Sequence, residues 1–97
     1  MAYKISTTHQ FERDLKRCIK RGYPMDEFKT VIKLLERDGC LPDKYYPHIL
    51  HGDRKGLWEC HIQPDWLLIW KVIGDGFELL MLNTGTHSDL FDKKPKK

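Results

Sequence analysis

Residues 57–83 read LWECHIQPDWLLIWKVIGDGFELLMLN, and this stretch decides the fold. Its first part alternates: Leu57, Glu59, His61 and Gln63 fall on one side, Trp58, Cys60 and Ile62 on the other. That is the period of a strand with one mostly apolar face. Pro64 and Asp65 break the run, since proline cannot donate to a ladder. WLLIWKVI, residues 66–73, is almost continuously apolar, as expected of a central strand covered on both faces. The turn GDG, residues 74–76, makes a tight hairpin, and FELLMLN (77–83) is the next strand. TGTHSDLF then leaves the sheet through Gly85 and ends in a short structured segment.

The residues before this stretch have a different period. Tyr3 and Ile5 alternate with Lys4 and Ser6 in a short first strand. Thr7 and Gln10 have the spacing of a capping box. Phe11, Leu15, Cys18 and Ile19 form one helical stripe, stopped at Gly22. Pro24 opens a second helix, with Asp26 and Glu27 complementing its dipole. Phe28, Val31, Ile32 and Leu35 repeat the stripe, and Gly39 and Pro42 end it. A linker of about three residues makes the two helices an antiparallel hairpin. The predicted order is β-α-α-β-β-β-β. This is an α+β fold, an antiparallel sheet with the N-terminal helical hairpin packed on one face.

The chain has 97 residues, enough for one domain, which the reading places at 1–92. Lys and Arg number 17 against 14 Asp and Glu, a net charge of +3. Four of those lysines lie in the tail KKPKK, residues 93–97, read as basic and disordered; without them the balance is −1. Net charge is thus weak evidence for a nucleic-acid partner, and its distribution matters more. Arg13, Lys16, Arg17 and Lys20 form a basic stripe on the first helix, and Arg54 and Lys55 precede the His61 strand. Such groups attract phosphate backbones, although an exposed basic helix face is often only solvated. The three cysteines, Cys18, Cys40 and Cys60, are widely spaced without a CxxC. They read as packed thiols in a reducing, cytoplasmic setting. No apolar run approaches the roughly 20 residues that span a bilayer, so no membrane partner is expected.

Three of the five histidines, His48, His51 and His61, lie within 14 residues. Alternation puts His61 on the open face of the sheet. His48 and His51 are three apart, so in an extended segment at most one joins it. His87, at the exit of the last strand, can return to the same face. A metal site of His48, His61 and His87 with Asp65 is one reading, but HxxH on a strand is a poor zinc spacing. Proton transfer is the other. RNA cleavage by its own 2′-hydroxyl needs a base, an acid and a stabiliser of phosphate charge, and needs neither a metal nor a nucleotide cofactor. The chain has no GxxxxGK[ST] and no GxSxG, and nothing in it suggests a small-molecule substrate.

WECHIQPDWLLIWKV (58–72), followed by NTGTHSDLF (83–91), resembles the YafQ-type toxins of the RelE/ParE superfamily. The resemblance runs through residues 2–92. It implies a small bacterial, ribosome-dependent endoribonuclease that cuts mRNA in the A site and is neutralised by a cognate antitoxin. It implies an active site of His48, His61, Asp65, His87 and Phe91. His61 and His87 would be acid and base, His48 a proton or phosphate partner, and Asp65 an orienter of imidazole or a base. Phe91 and Trp66 would pack the site or stack on a base. His51 stands where relatives vary. One position departs: the family pattern has arginine where this chain has Asn83. Either Arg54, Lys55 or a cationic histidine supplies the stabilising charge, or the enzyme is weakened or inactive. Two alternatives stay open, a non-enzymatic member of the fold that binds a protein and a small metal-dependent hydrolase.

Overall fold

The computed structural model describes residues 2–91. In order they form β1 (Lys4–Thr7), α1 (His9–Lys20), α2 (Met25–Asp38), β2 (His48–Ile49), β3 (Trp58–Gln63), β4 (Trp66–Ile73), β5 (Glu78–Gly85) and α3 (His87–Phe91). The five strands make one sheet in the order β1-β5-β4-β3-β2. β3 to β5 are the expected antiparallel meander, and the two-residue β2, for which the sequence reading gives no range, extends it antiparallel to β3. β1 departs from it: it pairs parallel to β5, with Lys4 opposite Glu78, so the sheet is mixed. The meander leaves the outer edge of β5 open. β1 covers part of that edge and passes directly into α1, which lies against β5. Both helices and the other three strands lie between β1 and β5, a long connection that allows parallel pairing as a tight hairpin does not. The basic tail, residues 93–97, lies outside the described residues.

Local chemistry explains the helix ends. Thr8, not Thr7, caps α1: its hydroxyl oxygen accepts from the Phe11 amide at 3.0 Å. The Thr7 hydroxyl donates to Glu12 instead, at 2.8 Å, so the expected capping box slips by one residue. Pro24 precedes the first turn of α2. At the other end Gly39 has φ +73° and returns its N–H to the Leu35 carbonyl at 2.8 Å. A Cβ there would lie 2.4 Å from the Tyr3 ring, so both backbone and packing require glycine.

The sheet is covered on both faces. Phe11, Val31, Leu35, Cys60, Leu68 and Trp70 belong to the larger cluster, under α1 and α2. Leu67, Ile69 and Leu90 form a smaller one on the opposite face, flanked by Leu50, Leu57, Leu82 and Phe91. Residues 66–70 of β4 are therefore all buried, as their unbroken apolar run predicts. Each such Leu or Ile contributes roughly 1.5–3 kcal/mol by leaving water. Cys18 and Cys60 are buried as expected, and burial pushes both thiols up. Cys40, between Gly39 and the buried Leu41, is exposed.

Candidate active site

The smaller cluster and α3 cover only part of their face of the sheet. The rest carries a row of imidazoles. β3 alternation turns Glu59 and His61 away from the helical hairpin, and the β2–β3 register sets His48 opposite Glu59. The His48 and His61 ring centroids are 6.2 Å apart, and those of His61 and His87 5.6 Å.

Each end of the row is tied down. The Tyr46 carbonyl lies 2.8 Å from His48 Nδ1 and, being an acceptor, fixes a proton there. His48 Nε2 lies 2.9 Å from Glu59 Oε1. Both contacts are satisfied only if the pair shares a second proton. Glu59 is 5% exposed, and its other carboxylate oxygen has no partner among the described residues.

At the far end Asp65, in the two-residue turn between β3 and β4, accepts from the His87 amide at 2.9 Å and lies 2.6 Å from His87 Nδ1. The His87 backbone N–H, then its ring, hold the Asp65 carboxyl below the usual range. An ionised Asp65 places the proton on Nδ1 and leaves Nε2 free for proton transfer.

α3 itself is held by Asp89. Its carboxylate accepts from the Thr86 amide at 2.9 Å, while the Thr86 hydroxyl accepts from the Asp89 amide at 3.0 Å. Arg21 donates to both Asp89 oxygens, at 2.7 and 3.2 Å. That pairing holds the Asp89 carboxyl at about 2. Gly85 lets the chain pass this close: a Cβ there would lie 2.7 Å from Asp89 Oδ2.

The structure thus brings His48, His61, Asp65 and His87 together. His51 is exposed on the loop outside the row. Phe91 lies one turn beyond His87 on α3, half-buried. The Arg54 guanidinium sits 4.7 Å over its ring and donates to the Leu90 carbonyl at 2.9 Å. Three expectations change. Trp66 is 2% exposed, between Tyr23 and Phe28, with its indole N–H donating to Thr84 at 2.9 Å. As the first residue of β4 it faces the helices, so it cannot stack on a base. Arg17 leaves the basic stripe: it is half-buried and pairs with Asp14 at 3.4 Å and Asp89 at 3.8 Å, whereas Arg13, Lys16 and Lys20 are exposed, as is Lys55. The Asn83 amide donates to Asp14 at 3.2 Å. Asp14, 2% exposed, also takes the Thr84 N–H at 3.2 Å, where β1 no longer covers the edge of β5.

Asp14, Arg21, Tyr46, Glu59 and Asp89 therefore matter to the site without standing out in the sequence. Only Asp89 had a usable signal, the Thr86-to-Asp89 spacing of a helix start. Among the described residues, no three His, Cys, Asp or Glu side chains converge as a metal-ligand set. No helix there is long and apolar enough to cross a membrane.

A mixed five-strand sheet carrying a helical hairpin is the RelE-like α+β fold, and a histidine–aspartate row lines its open face. The chain belongs to the family described as bacterial toxin of type II toxin-antitoxin system, YafQ, whose model matches residues 3–92. It is 37% identical over 89 residues to the mRNA interferase toxin YafQ of Escherichia coli K12, covering 90% of this chain and 94% of that one. The crystal structure of the E. coli DinJ–YafQ toxin–antitoxin complex superposes with a TM-score of 0.82 at 36% identity, over 94% of this chain and 99% of that one. A metal-bound toxin from Helicobacter pylori is similar too, with a TM-score of 0.80 at 34% identity, over 92% and 99% of the two chains.

Proposed function

We propose that this chain is the toxin of a type II toxin–antitoxin pair and an endoribonuclease. It cuts mRNA in the ribosomal A site, without a metal, by attack of the 2′-oxygen on the adjacent phosphorus. One imidazole of the His61–His87 pair takes the 2′-proton. The other protonates the departing 5′-oxygen, leaving a 2′,3′-cyclic phosphate. Asp65 keeps His87 in the tautomer that has Nε2 available. His48, sharing its proton with Glu59, and Arg54, in the loop before β3 and packed against the end of the helix that carries His87, face the charge that builds on phosphate. Phe91 is the ring available for packing against RNA. Exposed Arg13, Lys16, Lys20 and Lys55 bind the ribosome or mRNA backbone. A cognate antitoxin covers the open face.

One observation carries this reading. His87 is bonded through Nδ1 to a carboxylate and faces a second imidazole 5.6 Å away. The test is cleavage of mRNA on programmed ribosomes by wild type, His61→Ala and His87→Gln, with metal analysis of the free protein. A fall of roughly a hundredfold or more in either variant, in metal-free protein, is the expected result. A folded wild type that cuts nothing would favour a binding-only protein. Metal held tightly and required for cutting would favour a histidine metal site. Excess antitoxin should abolish the product.

A further inference from the structure

Beside His61 the surface opens into a cleft of about 330 Å³ whose wall includes Tyr46, Lys44, Gln63 and Pro64. Its outer wall is unusual. Tyr46 has φ +52°, the left-handed region that any residue with a Cβ avoids. This backbone sets the ring 4.9 Å from the His48 ring and 5.4 Å from the His61 ring, yet leaves the residue 64% exposed. Strained backbone clusters where geometry serves function.

From this geometry we propose that Tyr46 is a stacking platform for one nucleobase flanking the scissile phosphate, making this cleft a base subsite. The inference rests on the endoribonuclease reading above. A phosphate between His61 and His87 puts a neighbouring nucleoside beside His48 and Tyr46. The cleft is at the small end of ligand sites, the scale of one planar group rather than a peptide segment. The Lys44 ammonium, exposed and 5.1 Å over the Tyr45 ring, stands at the rim for the attached phosphate. Gln63 offers both a donor and an acceptor to a base edge.

The test uses single-turnover cleavage on programmed ribosomes by wild type, Tyr46→Phe and Tyr46→Ala. The mRNAs are intact or carry an abasic nucleotide at either position flanking the cut. Stacking on an aromatic ring should be worth roughly tenfold to a hundredfold in RNA binding. Tyr46→Ala is therefore expected to raise the toxin concentration giving half-maximal rate by that factor. Tyr46→Phe stays close to wild type, and the pH profile is unchanged. One abasic position penalises wild type and Tyr46→Phe but adds nothing to Tyr46→Ala. Three results would overturn the proposal: wild-type behaviour in Tyr46→Ala, a loss in maximal rate with a displaced pH profile, or an undiminished abasic penalty. The second would mean that the ring only props the imidazoles. Normal cutting with lost antitoxin control would instead assign the ring to a protein contact. If wild type does not cut, the nuclease reading fails and the subsite with it. If wild type cuts and only the Tyr46 pattern fails, the nuclease reading stands.

Discussion

Asp89→Asn isolates the ion pair that holds α3. Asparagine keeps the shape, and its oxygen can still accept the Thr86 amide. What is lost is the charge facing Arg21 at 2.7 Å. The Asp89 carboxyl sits at about 2 in the folded chain, against roughly 3.9 unfolded. At about 1.36 kcal/mol per pKa unit this is worth roughly 2–3 kcal/mol. Arg21 is 38% exposed, so solvent screening reduces the figure to about 1–2 kcal/mol. For a domain of this size that lowers Tm by roughly 5–10 °C. The sign follows from the depressed carboxyl. The stabilisation is fully present above the unfolded value and disappears as pH falls through the folded one. At pH 3 about half should remain. Urea unfolding of wild type and Asp89→Asn at pH 6.5 and pH 3 measures it. Equal stability at pH 6.5, or a difference undiminished at pH 3, would refute the ion-pair account. Because Asp89 seats the helix that carries His87, cleavage should fall as well.

Asp65→Asn keeps a hydrogen-bond partner for His87 but removes the charge that fixes its tautomer, and cleavage at neutral pH should fall roughly a hundredfold, read in the same ribosome assay. Arg54→Ala should slow cutting by about tenfold to a hundredfold and destabilise the end of α3, while Arg54→Lys should restore the charge but not the stacking over Phe91. Trp66→Ala should cost about 3–5 kcal/mol in urea unfolding, as a core aromatic does; a loss of RNA binding without a loss of stability would contradict its placement. Asn83→Arg should raise the cleavage rate if the site lacks a cation, and an unchanged rate would show that Arg54 and the histidines supply enough.

How much of this was legible in the sequence follows from the range of each signal. Period-two alternation in Trp58–Gln63 and the unbroken run of Trp66–Trp70 are local, so β3, β4 and the facing of His61 could be read directly. Gly39 and Pro24 punctuate α2 in the same local way. The partner of β1 is set by a register more than 70 residues away, which no local pattern encodes. His48, His61, His87 and Asp65 stood out by residue type and alternation, whereas Phe91 and the roles assigned to all five came from a motif resemblance. Trp66 was misread because an indole next to Asp65 looks like part of the site, although one step along a strand reverses the face. Arg17 was misread because its helical phase resembles that of the exposed lysines, while Asp89 on α3 draws it inward. Buried Asp14 had no signal at all: its role exists only because β1 stops short and leaves the Thr84 N–H without a strand partner.

The two carboxylates around His87 respond differently to acid, which helps assign any pH profile. Asp89 is largely enclosed and ion-paired, so its protonation loosens the helix seat. Asp65 is open to water and held by His87 alone, so its protonation frees the imidazole without disturbing the core. Both carboxyls lie below the usual range. Both therefore remain ionised down to pH values where ordinary carboxylates begin to protonate. An acid limb of activity with a midpoint above about 5 must then report an imidazole rather than Asp65. In the Asp65→Asn variant such a limb should persist. Were the limb to vanish in that variant, Asp65 itself would be the titrating base, and the assignment of proton transfer to the His61–His87 pair would have to be given up.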